Sequence, residues 1–257
     1  VSADADHCTG GFDPAHFQSL AAVEDRHFWF CVRRRVIATV LGPLVADLAE
    51  GYRVLEMGCG TGDVLRVLER VCARGRVIGA DLHEEGLAIA RQRVRCPLVC
   101  TDVRRFGFDQ PFDVVCVFDV LEHLADDAAA LRDLYAAIQP GGLLVVTVPA
   151  YMSLWSYFDE AAHHCRRYAP RDLRGRLTEA GFEVDYLTPF MCMLAPLMWL
   201  GRRLNRAGRH DQDLRVVPGV NGLLKAWLAL ERPFLRRGAV LPWGTSLLAV
   251  ARRRSNM

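Results

Sequence analysis

From Tyr52 onward, short apolar runs alternate with longer amphipathic stretches. The runs fall at residues 54–57, 77–80, 98–100, 114–118 and 143–148, and they are apolar at consecutive positions, as strands covered by helices on both faces must be. Between the early runs, 63–73 and 84–94 read as helices. Residues 126–138 place Ala128, Leu131, Leu134, Tyr135 and Ile138 at helical spacing ahead of Pro140-Gly141-Gly142, where a helix should stop. The alternation predicts an α/β architecture, a mostly parallel sheet with helices on both faces.

Ahead of this sheet, Asp13-Pro14 before Phe17, Leu20 and Val23 has the form of an N-cap and a first-turn proline, and a second helical pattern covers 33–50. Beyond Pro149 come an aromatic stretch, a helix over 170–180 and a strand over 182–187. An uncharged run of 16 residues between Asp185 and Arg202, an amphipathic helix over 221–237 and a last strand over 246–251 complete the chain. No linker or repeat divides it, which predicts one domain over 1–257. Residues 1–50 form a helical cap, 51–150 the core, and 151–257 the acceptor-side segment, a helical insertion and the last strands.

The turn after the first strand reads Glu56-Met57-Gly58-Cys59-Gly60-Thr61-Gly62-Asp63, with glycine at three alternate positions. Such a turn lets a ligand approach the backbone, because glycine lacks a Cβ and tolerates positive φ, while the next helix offers free N–H groups. A dinucleotide fingerprint would require glycine at position 63, where Asp63 stands, so a nicotinamide cofactor is disfavoured. Asp81 ends the second strand, 19 residues beyond Gly62, where a carboxylate accepts from ribose hydroxyls, and Leu82 is placed to cover an adenine face. Asp102 and Val103 follow the third strand, the acid suited to an exocyclic amine.

In this order the residues resemble the class I S-adenosylmethionine-dependent methyltransferases, over about residues 50–150: E-M-G-C-G-T-G, G-A-D-L, T-D-V, F-D-V-V-C-V-F-D-V-L-E-H-L and P-G-G-L-L-V-V-T-V-P. The resemblance implies a Rossmann-like, seven-stranded sheet whose last strand is antiparallel. It implies S-adenosyl-L-methionine as cofactor and S-adenosyl-L-homocysteine as product, with Glu56, Gly58, Cys59, Gly60 and Gly62 lining the cofactor. By the same resemblance Asp81 holds the ribose, Asp102 and Val103 meet adenine, and Phe118-Asp119 pass near the methionine part. The flanks are similar to a small-molecule subgroup carrying H-F-W-F-x-x-R-R, here from His27 to Arg34, and L-W-S-x-x-D with H-x-R-R-Y, here Leu154 to Asp159 and His164 to Tyr168. They imply that Trp29 with Arg33 or Arg34 closes over the cofactor. His163 and Cys165 depart from the usual pattern.

Methyl transfer from a sulfonium is an in-line displacement, so alignment and exclusion of water carry much of the catalysis and the protein need add only a base. His164 is the first candidate, with Asp159 to orient it; His123, beyond the fourth strand, and His163 are the others. Each could instead only tie its loop to neighbours. Tyr151, Trp155, Tyr157 and Phe158 are candidate walls of an acceptor pocket, and Arg166 and Arg167 candidate clamps for an anionic acceptor or partners for Asp159 and Glu160.

The 32 basic and 30 acidic side chains are too balanced for nucleic-acid binding by bulk charge, and no N-P-P-Y-like motif follows the fourth strand. Nine cysteines without C-x-x-C or zinc-finger spacing read as free cytosolic thiols, and no metal site is read. The first eleven residues have no signal-peptide core, so the expected location is the cytoplasm. Proline interrupts the uncharged run, which is too short to span a bilayer; peripheral membrane contact stays open, since its apolar residues lead into Arg202, Arg203 and Arg206.

The expected function is methyl transfer to O, N or C of a small-molecule acceptor in bacterial specialised metabolism, by a monomer or homodimer. A lipophilic or lipid-linked acceptor at a membrane surface is the second reading, and a non-catalytic cofactor-binding accessory protein the third.

Overall fold

A computed structural model describes residues 12–104, 107–204 and 216–255. The expectations that fall on residues 1–11 and on Arg206 lie outside them. Seven strands form one sheet: β1 (Arg53–Met57), β2 (Arg76–Asp81), β3 (Leu98–Cys100), β4 (Phe112–Phe118), β5 (Ile138–Pro149), β6 (Phe182–Phe190) and β7 (Ser246–Arg253). Their spatial order is β3-β2-β1-β4-β5-β7-β6, with β1 to β5 parallel and β7 antiparallel to both β5 and β6. The order reverses between β1 and β4, so the crevice for a ligand opens beyond the carboxyl ends of those strands.

Consecutive residues on the central strands serve two cores, which is why their runs are uniformly apolar. On β4, Val114, Cys116 and Phe118 pack with α2 (Phe28–Ala46) and α3 (Leu65–Val71) through Ile37, Leu41, Leu65 and Leu68. Phe112, Val115 and Val117 face the opposite layer, Leu131 and Leu134 of α5 (Asp127–Ala137) with Leu173 and Leu177 of α7 (Pro170–Glu179). The remaining helices are α1 (Phe17–Val23), α4 (Glu84–Ala90), α6 (Tyr157–Ala161), α8 (Ala195–Leu204), α9 (Pro218–Leu228) and α10 (Arg232–Arg236).

Three elements depart from the pattern-based boundaries. Helix α2 begins at Phe28 rather than near 33, because the His27 ring accepts from the Trp29 N–H at 3.3 Å and caps it. Strand β5 begins at Ile138 and passes through Pro140-Gly141-Gly142 instead of stopping there. Gly141 has φ +82°, and a Cβ on Gly142 would lie 2.9 Å from the Asp113 carbonyl, so the glycines let the strand run where other residues would break it. The helix expected over 221–237 is two, α9 and α10, separated by a 3-10 turn with Pro233 at the start of the second.

Among the described residues seven cysteines are free thiols, whereas Cys165 is disulfide-bonded, a departure from thiols throughout. No described helix is long and apolar enough to cross a membrane.

Candidate active site

A cavity of about 1030 Å³ lies over the carboxyl ends of β1, β2 and β4, roofed by the N-terminal helices and the segment after β5. The glycine turn forms its floor. Gly58, Gly60 and Gly62 have φ of +80°, +49° and +77°, and a Cβ on Gly58 would stand 2.2 Å from Val120 Cγ2. The Gly60 N–H donates to Asp81 Oδ2 at 2.7 Å and the His83 N–H to Oδ1 at 2.9 Å, which fixes the Asp81 carboxylate at the cavity edge. Burial pushes this carboxyl above its usual range, against the pull of those two N–H groups. Leu82 and Val103, one exposed and one buried, flank the position beyond it.

Glu56 is buried at the end of β1, and its Oε2 has no hydrogen-bond partner. Burial pushes its acidity far down, opposed by the charge of Arg33. Arg33 reaches over the cavity from α2, donates to Asp119 Oδ2 at 2.6 Å and lies 5.1 Å from the centre of the Trp29 ring. Phe118, Asp119, Trp29 and Cys59 all stand on the cavity wall.

Other expectations are corrected. Gly62 is not on the wall; a Cβ there would meet Ala90 Cβ at 3.1 Å, so its role is close packing against α4. Arg34 is spent on Asp63 and on the Glu24 carbonyl. Asp102 does stand on the wall, its carboxylate also held by exposed Arg104 at 2.6 to 3.1 Å.

On the opposite side, Asp159 is fully buried at the start of α6. Its Oδ1 takes His164 Nδ1 at 2.9 Å and Arg167 Nε at 2.7 Å, while Oδ2 accepts from the Ser156 N–H at 2.8 Å in a capping box. Burial would raise its pKa, but the hydrogen bond from His164 and the charge of Arg167 outweigh it and hold the carboxyl below the usual range. His164 stacks edge-on against His123, their ring centres 4.7 Å apart. Burial, with the neighbouring His164 and His163, pulls His123 down to about 3, so its ring is neutral at physiological pH. Glu122, beside it, is buried with Oε2 unpartnered, and its pKa is raised by burial and by Asp119. Tyr157, Phe158 and Arg167 complete this wall.

His163 is exposed at φ +54° and off the wall, so it shapes the turn. Tyr151 packs against the second core, and Trp155 is half-buried away from the cavity. Arg166 binds Asp127 at 2.8 Å and the Ala125 carbonyl, holding the loop rather than facing a ligand.

Glu24 is a site residue with no mark in the sequence: its carboxylate accepts from Thr61 Oγ1 at 2.7 and 2.9 Å and from Arg93 at 2.5 Å. It locks the N-terminal segment over the glycine turn. Phe17 joins it there, packing against Gly60 and Gly86. An acid in the turn between two helices carries no local signal of such a contact.

A methyltransferase-domain family model matches residues 28–187. A probable S-adenosylmethionine-dependent methyltransferase of Mycolicibacterium smegmatis is 31% identical over 176 residues, 65% of this chain and 64% of that protein. The ubiquinone biosynthesis O-methyltransferase of Rhizobium etli is 32% identical over 136 residues, 50% of this chain and 54% of its own. The chain thus spans about half to just under two thirds of such relatives. In fold it is similar to a putative methyltransferase of Bacillus halodurans, with TM-score 0.55 and 19% identity over 84% of this chain and 99% of that one. It is also similar to a putative sarcosine dimethylglycine methyltransferase of Galdieria sulphuraria, with TM-score 0.57 and 12% identity over 88% and 87%. The glycine turn and Asp81 lie within the matched residues, and since the family model covers more than half of this chain, the chain belongs to the S-adenosylmethionine-dependent methyltransferases.

Proposed function

We propose that the protein moves a methyl group from S-adenosylmethionine to a small-molecule acceptor. The observation that carries this is one cavity with two chemically different sides: the glycine turn with Asp81 and Glu56, and the Asp159-held imidazole of His164. The residues fit the cofactor. Glu56 Oε2 is a buried acceptor lacking a donor, and a side chain on Gly58 would fill the turn. The cofactor supplies a sulfonium-bound methyl open to in-line displacement.

Asp81 takes the ribose hydroxyls, Leu82 and Val103 enclose the base, and Glu56 with the Arg33–Asp119 pair faces the amino-acid end. Tyr157 and Phe158 wall the acceptor, and His164, fixed in one tautomer by Asp159, relieves its nucleophilic atom of a proton. Isothermal titration with S-adenosylmethionine, S-adenosylhomocysteine and NAD tests the reading. Micromolar binding of the first two without NAD is expected; binding of NAD alone, or of none by folded protein, sinks it.

A lipophilic acceptor presented at a membrane surface is favoured as the second reading by one observation. Leu194 and Met198 on the cavity wall continue into exposed Leu197, Trp199 and Leu200.

A further inference from the structure

We propose that Glu122, His123 and His164 bind one divalent transition-metal ion on the acceptor side of the cavity. One ligand atom from each lies within 4.8 Å of the others, and all three residues face the cavity. The two segments are 41 residues apart in the chain and are pinned together by the Cys165 N–H, which donates to the Glu122 carbonyl at 2.7 Å.

The His164 lone pair is set free by a partner on the other side of the ring. Asp159 takes His164 Nδ1, leaving Nε2 for coordination. His123 Nδ1 is buried without a partner. Glu122 Oε2 is likewise buried without a partner. Two adjacent buried acceptors with no donor are costly unless a proton or a metal cation lies between them, and a metal ion satisfies both together with His164. A carboxylate behind an imidazole, as Asp159 stands behind His164, is an arrangement that orients metal-ligating histidines. Two nitrogens and one carboxylate oxygen suit zinc, manganese, iron(II) or cobalt(II), whereas magnesium and calcium prefer oxygen alone.

Only the use of the ion rests on the methyltransferase reading. An acceptor hydroxyl bound at an open position loses its proton to solvent more readily, and its oxygen bonds to the methyl carbon as the carbon–sulfur bond breaks. The ion then takes over the part given to the His164 imidazole, whose lone pair it occupies.

Chelator-treated protein titrated with cobalt(II) should develop visible d–d absorption saturating at one equivalent, with no thiolate charge-transfer band. Calorimetry should show zinc(II) binding at least about tenfold tighter than magnesium. Glu122→Gln, close to isosteric, and His123→Ala should each weaken binding tenfold or more, with circular dichroism showing each folded. Asp159→Asn should weaken it about 10- to 100-fold. No saturable binding, a thiolate band, or binding unchanged in both ligand variants would overturn the site. Titration of the same sample with S-adenosylmethionine separates the claims: cofactor binding without metal binding overturns only the metal site, and metal binding without cofactor binding overturns only the methyltransferase reading.

Discussion

Asp81 holds two roles in one carboxylate. Each oxygen already accepts one backbone N–H, from Gly60 or His83, and keeps a second lone pair toward the cavity. Asp81→Ala therefore removes the ribose acceptor and releases the turn. Hydrogen bonds to a charged group are worth about 1.5–3 kcal/mol, so S-adenosylmethionine affinity measured by calorimetry should fall by about tenfold or more. Unchanged affinity would contradict the ribose assignment. The glycines divide just as sharply. At Gly58 a methyl group meets positive φ and a 2.2 Å contact with Val120, and Gly58→Ala should cost about 1–3 kcal/mol in urea unfolding. At Gly175, inside α7, nothing lies within 4 Å, and Gly175→Ala should stabilise by about 0.5–1 kcal/mol in the same measurement. Equal effects at the two positions would mean that the turn is not constrained as described.

Helices α2 and α9 pack through apolar side chains, and one polar side chain ties the start of α2 to α9. Asn221 accepts from the Phe28 N–H at 2.6 Å and donates to the Arg26 carbonyl at 2.7 Å, binding the start of α2 to a helix almost two hundred residues away. Asn221→Ala leaves both backbone groups without that partner. It should destabilise by about 1–3 kcal/mol and speed amide exchange at Phe28 and Trp29; protection equal to wild type would show that the lock is idle. Contacts of this kind explain what the sequence could reveal. The glycine turn, Asp81 and the alternation of strands and helices were legible because their signals are local: alternate glycines after an apolar run, an acid at the next strand end. The Asp159–His164 pair was legible because both lie in one short segment. Arg34 and Arg166 were misassigned because a guanidinium shows no sign in sequence of whether an acid elsewhere already holds it. The meeting of Glu122, His123 and His164 was illegible for the same reason, since folding alone brings the two segments together.

Taken as one body, the protein carries an uneven surface. Leu223, Leu230, Phe234, Val240 and Trp243 are exposed on and after α9 and α10, and Leu197, Trp199 and Leu200 on α8. Over described residues 216–244 the basic groups are Lys225, Arg232, Arg236 and Arg237, whereas the one acid, Glu231, is buried and accepts from the Met193 N–H. Apolar side chains bordered by cations match an anionic lipid surface, where each basic residue contributes about 1 kcal/mol and the contribution fades within a Debye length. Because Leu194 and Met198 also wall the cavity, a protein docked through these helices would open its acceptor side toward the bilayer. In detergent-free flotation the protein should rise with phosphatidylserine-rich vesicles and not with phosphatidylcholine alone. It should be released at roughly 1 M salt, where the Debye length is about 3 Å. The paired change Leu223→Glu and Phe234→Glu, remote from the cavity wall, should abolish flotation while leaving S-adenosylmethionine affinity unchanged. Wild-type protein that stays at the bottom of the gradient with every vesicle, yet methylates a soluble acceptor at full rate, would remove the lipid-surface reading and leave the small-molecule one.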